Sequence, residues 1–186
     1  MLILCEGQTE EIYFKGFVAE KNSQNHSRKK VRVEVYQPKQ FKPEALLKEA
    51  IKELKKAKKD HLPFDSVWIV FDRDEHPRIP ETFAKAQKEN VNIAYSATCF
   101  EFWVLLHFRY TSRNYSNCQE LEHELQRQHI PNYKKGAKSI FKALKANTST
   151  AKANAERLLQ SLDNQAAYRQ NPYTSVHLLL QALEDF

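Results

Sequence analysis

The sequence predicts an α/β domain: a mostly parallel four-stranded sheet flanked by helices, with a helical C-terminal half. Three observations predict it. Short, wholly apolar runs open directly onto acidic residues, as in Leu2 to Cys5 before Glu6 and Val67 to Phe71 before Asp72. Continuous apolar runs of that length fit strands buried on both faces, as in a parallel sheet. These runs alternate with amphipathic stretches through residues 1–100, the order expected of strand–helix–strand units. After Ser96 the strand signal gives way to apolar residues at helical spacing.

Leu2 to Cys5 is the first predicted strand. Thr9 then precedes Glu10 and Glu11 and the apolar positions Ile12, Phe14, Phe17 and Val18. A hydroxyl cap followed by first-turn acids suits a helix N-terminus. Val31, Val33 and Val35 alternate in a second strand over 31–36. Pro43 starts a helix whose face carries Leu47, Ile51 and Leu54 and whose end carries Lys55, Lys56, Lys58 and Lys59. The lysine run reads as a solvated face. Residues 65–71 form the strongest strand, ending in Asp72-Arg73-Asp74. Pro77 and Pro80 mark a loop, 82–88 a short helix, and 91–96 a fourth strand. Residues 100–108, 118–129, 139–145, 150–162 and 174–183 read as helices, with Thr174 as the cap of the last. No repeat or linker divides the chain. One domain over 1–186 is expected, with an α/β core at 1–108 and a helical extension at 109–186 packed on it.

Hydrophobic residues make up 41% of the 186 residues, enough for a core. Only three glycines are present, which argues against a glycine-rich all-β fold. The net charge of +6 weakly favours polyanion partners. Three widely spaced cysteines, Cys5, Cys99 and Cys118, suggest neither a disulfide framework nor a cysteine-rich zinc module. There is no signal-peptide pattern and no bilayer-spanning run, so a cytoplasmic protein without a membrane partner is expected.

The chemistry is concentrated in acids at strand ends. Asp72 and Asp74 stand two residues apart after a buried strand, so in extended chain their carboxylates face one point. Glu6 follows the first strand in the same way. In a parallel sheet these ends share one edge, where ligands bind. Carboxylates held together need a shared proton or a cation. Oxygen-only donors favour Mg²⁺ or Mn²⁺ over zinc. A metal so placed activates water and offsets charge on a phosphoryl oxygen. A single Asp after a strand is otherwise a common turn residue. Asp-x-Asp also occurs at phosphatase sites, where Asp72 would be a nucleophile, although that chemistry normally places the pair after the first strand.

Four segments carry a resemblance. Leu2 to Glu11 (LILCEGQTEE), Phe71 to His76 (FDRDEH), Ser96 to Phe108 (SATCFEFWVLLHF) and Asn171 to Leu183 (NPYTSVHLLLQAL) together resemble the RloB-like family. The third is the most distinctive, and their order spans nearly the whole chain. The family is similar to Toprim domains, which use a Glu after the first strand and an Asp-x-Asp after a later one, with Mg²⁺. The resemblance implies Asp72 and Asp74 as metal ligands and Glu6 as a ligand or general acid/base. RloB-like genes lie in restriction and phage-defence loci, often beside an ATPase. The resemblance therefore implies a defence nuclease acting on RNA or DNA. A non-hydrolytic partner or sensor subunit working with an ATPase is the alternative. Family members often carry a basic stretch before the first strand. This chain opens on the strand itself, so no role is assigned to such an arm.

Other candidates have two readings each. Glu101 is either a further acid near the metal or one half of a buried ion pair, since a charge among apolar neighbours needs a partner. His107 is either catalytic or a hydrogen-bonded core histidine, the core reading being favoured, and His76 either assists proton transfer or is a loop residue, the loop being favoured. Tyr133, Lys134, Lys135 and Lys138 form a basic loop that could grip a phosphate backbone and stack a base; the alternative is a solvated loop.

Overall fold

The structure is a computed structural model that describes residues 1–24, 33–73 and 76–185. Asp74 and the first residues of the predicted second strand, Val31 and Arg32, lie outside the described residues.

Strands β1 (Leu2–Cys5), β2 (Glu34–Tyr36), β3 (Val67–Asp72), β4 (Asn92–Ala97) and β5 (Tyr173–Thr174) form one sheet in the order β2-β1-β3-β4-β5. The first four are parallel, and β5 runs antiparallel beside β4. The prediction of four strands is thus corrected to five. The fifth comes from the segment expected to begin the last helix. Thr174 lies in this strand, with its Oγ1 accepting the Val176 N–H at 3.3 Å, and the helix starts at Val176. Tyr173 pairs with Ala97, and Thr174 with Ser96. A two-residue strand has too little alternation to register as a pattern.

The helices are α1 (Gln8–Gln24), α2 (Pro43–Lys59), α3 (Ile79–Lys88), α4 (Phe100–Leu106), α5 (Cys118–Gln128), α6 (Ile140–Leu144), α7 (Thr148–Ser161) and α8 (Val176–Glu184). Alternate residues of each strand feed two cores. Leu2, Leu4, Ile69, Phe71 and Tyr95 pack under α2 and α3 with Leu46, Leu47, Ala50 and Ala86. Ile3, Cys5, Trp68, Val70 and Ala94 face the other way, into a larger core built with α1 and α4 to α8. This explains why β1 and β3 carry no polar alternation: both of their faces are covered.

Helix α2 shows the local logic. Pro43 sets its first turn, Glu44 is acidic there, and Lys56, Lys58 and Lys59 close its C-terminal end, each sign suited to the helix dipole. In the larger core α4 is buried at every position. Burying side chains such as Phe102, Trp103 and Leu105 contributes about 1.5–3 kcal/mol each. Helix α6 lies close against α1, because a Cβ at Gly16 would meet the Phe141 ring at 2.5 Å. His107 is buried in this core; its Nδ1 bonds the Trp103 carbonyl at 3.0 Å and its Nε2 faces the Tyr13 hydroxyl at 3.4 Å. Burial lowers its pKa to about 4, so it stays neutral. Among the described residues no helix is long and apolar enough to cross a membrane.

Candidate metal centre

The C-terminal ends of β1 and β3 lie side by side because the two strands pair in parallel, with Cys5 opposite Val70. The chain leaves β1 at Glu6, whose N–H donates to the Val70 carbonyl at 2.9 Å. The Glu6 side chain then reaches across to β3. Its Oε2 accepts the backbone N–H of Asp72 at 3.0 Å, and its Oε1 lies 2.7 Å from His76 Nε2. The Glu6 carbonyl is held from the other side by Gln37 Nε2, just beyond β2. Glu6 is therefore fixed by three neighbouring chain segments.

Asp72 is the last residue of β3. Loss of hydration raises its pKa well above the ordinary carboxylate range, and Glu10, Glu101 and Glu6 push it further up; the Phe100 backbone N–H at the start of α4 partly offsets this. Glu10, in the first turn of α1, is 4% exposed. Burial, then the charges of Glu101 and Glu6, raise its pKa to about 7 against the pull of its own backbone N–H and of Lys135. Its carboxylate lies over Gly7, where any Cβ would collide with it. Glycine there leaves room for the acid.

Glu101 is 1% exposed. Its Oε1 accepts the Tyr133 hydroxyl at 2.8 Å, and its Oε2 lies 3.6 Å from Lys135 Nζ. Lys135 also reaches Glu122 at 3.4 Å. Glu101 thus has the cationic partner that the ion-pair reading expected, and its charge also acts on Asp72 and Glu10. Burial raises its pKa despite the opposing pull of Lys135 and Tyr133.

The structure brings Glu6, Asp72 and Glu101 into one electrostatic cluster and adds Glu10, a first-turn acid of α1 in the sequence pattern. The only sequence signal for it was its spacing of four from Glu6, at the point where a strand end turns into a helix. One expectation is extended and one is corrected. His76, favoured as a loop residue, does lie outside the helices and strands but also contacts Glu6, which the loop reading did not foresee. Tyr133, expected to offer its ring for base stacking, is 2% exposed and points its hydroxyl at Glu101. Lys134, Lys135 and Lys138 are all exposed, and Lys135 also reaches back to Glu101 and Glu122. A second correction concerns the cysteines: Cys99 and Cys118 form a disulfide with Cα atoms 5.9 Å apart, and Cys5 is free and buried. The pair is nineteen positions apart in sequence, and the packing of α5 beside α4 brings them together.

The donor chemistry, carboxylate oxygens, is of the type that suits a hard divalent cation, while among the described residues the donor atoms that come within 4.8 Å of one another as a group of three are those of Cys99, Glu101 and Cys118. Glu6 and Glu101 each act electrostatically on Asp72 and Glu10, and Lys135 acts on Asp72, Glu10 and Glu101. The raised pKa values of Asp72 and Glu10 come first from burial and then from the neighbouring acids. Their donors are oxygens, which suit Mg²⁺ or Mn²⁺. Glu6 and Asp72 would hold the ion, with Glu10 and Glu101 as further acids beside it.

A family model described as RloB-like protein matches residues 1–183. No curated protein and no solved structure matches the chain.

Proposed function

The chain belongs to the RloB-like family, and on that premise we propose that it is a metal-dependent nuclease, hydrolysing phosphodiester bonds of RNA or DNA in anti-phage defence. One observation carries this reading: the Glu6 carboxylate at the end of β1 accepts the backbone N–H of Asp72 at the end of β3, and the buried acids Glu10 and Glu101 act electrostatically on Asp72. We read this pairing as Toprim-like, with Asp74 completing the Asp-x-Asp.

Mg²⁺ or Mn²⁺, when bound by Glu6 and Asp72, would make water more acidic and offset charge on the phosphoryl group. The chain's own residues do the rest. His76 orients Glu6 through Oε1. Glu10, with a pKa of about 7, can hold or release a proton near neutral pH, as a general acid or base must. Lys134 and Lys138, both exposed, supply positive charge for a phosphate backbone.

The test is a cleavage panel. Wild type and Asp72→Ala/Asp74→Ala protein are incubated with tRNA, rRNA, single-stranded DNA and plasmid in Mg²⁺, Mn²⁺ or EDTA. Metal-dependent cleavage, lost in the variant, is expected. Absence of cleavage by the chain alone and with a candidate ATPase partner counts against a nuclease and favours the non-hydrolytic partner.

A further inference from the structure

Beside the carboxylate cluster lies a second donor set of different chemistry. Cys99 immediately precedes α4, Glu101 is in the first turn of α4, and Cys118 opens α5. Cys99 Sγ, Cys118 Sγ and a Glu101 carboxylate oxygen all lie within 4.8 Å of one another. We propose that, once the Cys99–Cys118 disulfide is reduced, these three residues bind a thiophilic divalent cation, Zn²⁺.

The chemistry balances. A dithiol reductant gives two electrons and two protons to the Cys99–Cys118 bond and becomes a disulfide itself. The two thiols then lose their protons to solvent as the sulfurs bond to zinc. Oxidised, the pair is closed to metal; reduced, it offers two thiolates.

The geometry suits a tetrahedral ion. With Zn–S near 2.3 Å and Zn–O near 2.0–2.2 Å, a sulfur–oxygen edge of the tetrahedron is about 3.6 Å. Cys118 Sγ lies 3.8 Å from Glu101 Oε2. A sulfur–sulfur edge is about 3.8 Å, which side-chain rotation can supply across Cα atoms 5.9 Å apart. Three protein donors leave a fourth position for water.

The surroundings also suit it. The Tyr133 hydroxyl holds Glu101 Oε1 at 2.8 Å, while Cys118 Sγ contacts Oε2; this is how a neighbour orients a metal ligand. Two thiolates, one carboxylate and Zn²⁺ sum to a single negative charge. Lys135 Nζ, 3.6 Å from Glu101 Oε2, balances it. Cys118 is partly exposed and gives the ion a way in, whereas Cys99 is buried.

The test uses Co²⁺ as a spectroscopic stand-in. Protein reduced with dithiothreitol, then freed of it without air, is titrated with Co²⁺. One equivalent should give a near-ultraviolet sulfur-to-cobalt band that Zn²⁺ abolishes and excess Mg²⁺ does not. Cys118→Ser should lose the band, Cys5→Ser should keep it, and Glu101→Gln should weaken binding at least about tenfold. In wild type, Zn²⁺ should protect Cys99 and Cys118 from alkylation, read by mass spectrometry without any variant. Asp72→Asn should keep the band, which separates this site from the Mg²⁺ reading. No band in reduced wild type, a band that survives Cys118→Ser, or unprotected cysteines would overturn the proposal.

Discussion

Glu6 and Asp72, sixty-six residues apart, are joined by a hydrogen bond in which the Asp72 backbone N–H donates to Glu6 Oε2 at 3.0 Å. The bond ties the ends of two adjacent parallel strands and places two carboxylates where each destabilises the other's charge. Several outcomes follow from that arrangement.

Stability should fall as pH rises through neutrality in the absence of metal. Glu10 has a folded pKa of about 7 against 4.5 unfolded, so the folded state binds more protons in that window. The stabilisation is full below pH 4.5 and is lost as pH passes about 7. Asp72 is raised too and acts with the same sign. Thermal melts in EDTA should show the loss, up to about 3 kcal/mol from Glu10. Glu10→Gln should flatten the slope, and so should Mg²⁺. A slope unchanged by Glu10→Gln would show that Glu10 does not carry it.

His76→Ala should weaken metal affinity, or metal-dependent activity, by about 10- to 100-fold, the usual cost of losing a group that orients a ligand. Its contact with Glu6 Oε1 at 2.7 Å is the reason. The melting temperature in EDTA should change little. Equal metal affinity in variant and wild type would contradict the role.

Tyr133→Phe should cost about 1–3 kcal/mol in urea unfolding, because it leaves one oxygen of a buried carboxylate without its donor. The bond concerned is Tyr133 Oη to Glu101 Oε1 at 2.8 Å. A stacking residue would tolerate Phe with no loss of stability, so the measurement separates the two roles.

Much of this centre was legible in the sequence. The continuous apolar character of β1 and β3 predicted strands buried on both faces, and parallel pairing brings Glu6 and Asp72 to one edge. Glu10 was not legible, because first-turn acids suit any helix: Glu10 turns inward beside Gly7, while its neighbour Glu11 pairs outward with Lys15. Tyr133 in a lysine-rich loop looked like a surface aromatic; only the packing of that loop against α4 buries it. The Cys99–Cys118 pairing and β5 are likewise long-range contacts, decided by how α5 and the last segment return to the sheet.

The most direct test of the carboxylate centre is calorimetric titration of Mg²⁺ into metal-free protein near pH 7. Wild type should bind with release of protons, since Glu10, with a pKa of about 7, is held partly protonated until a cation arrives. Glu6→Gln and Asp72→Asn should each weaken binding at least about tenfold while the fold is kept. Absence of binding in wild type, or binding indifferent to both substitutions, would contradict a metal centre at the ends of β1 and β3.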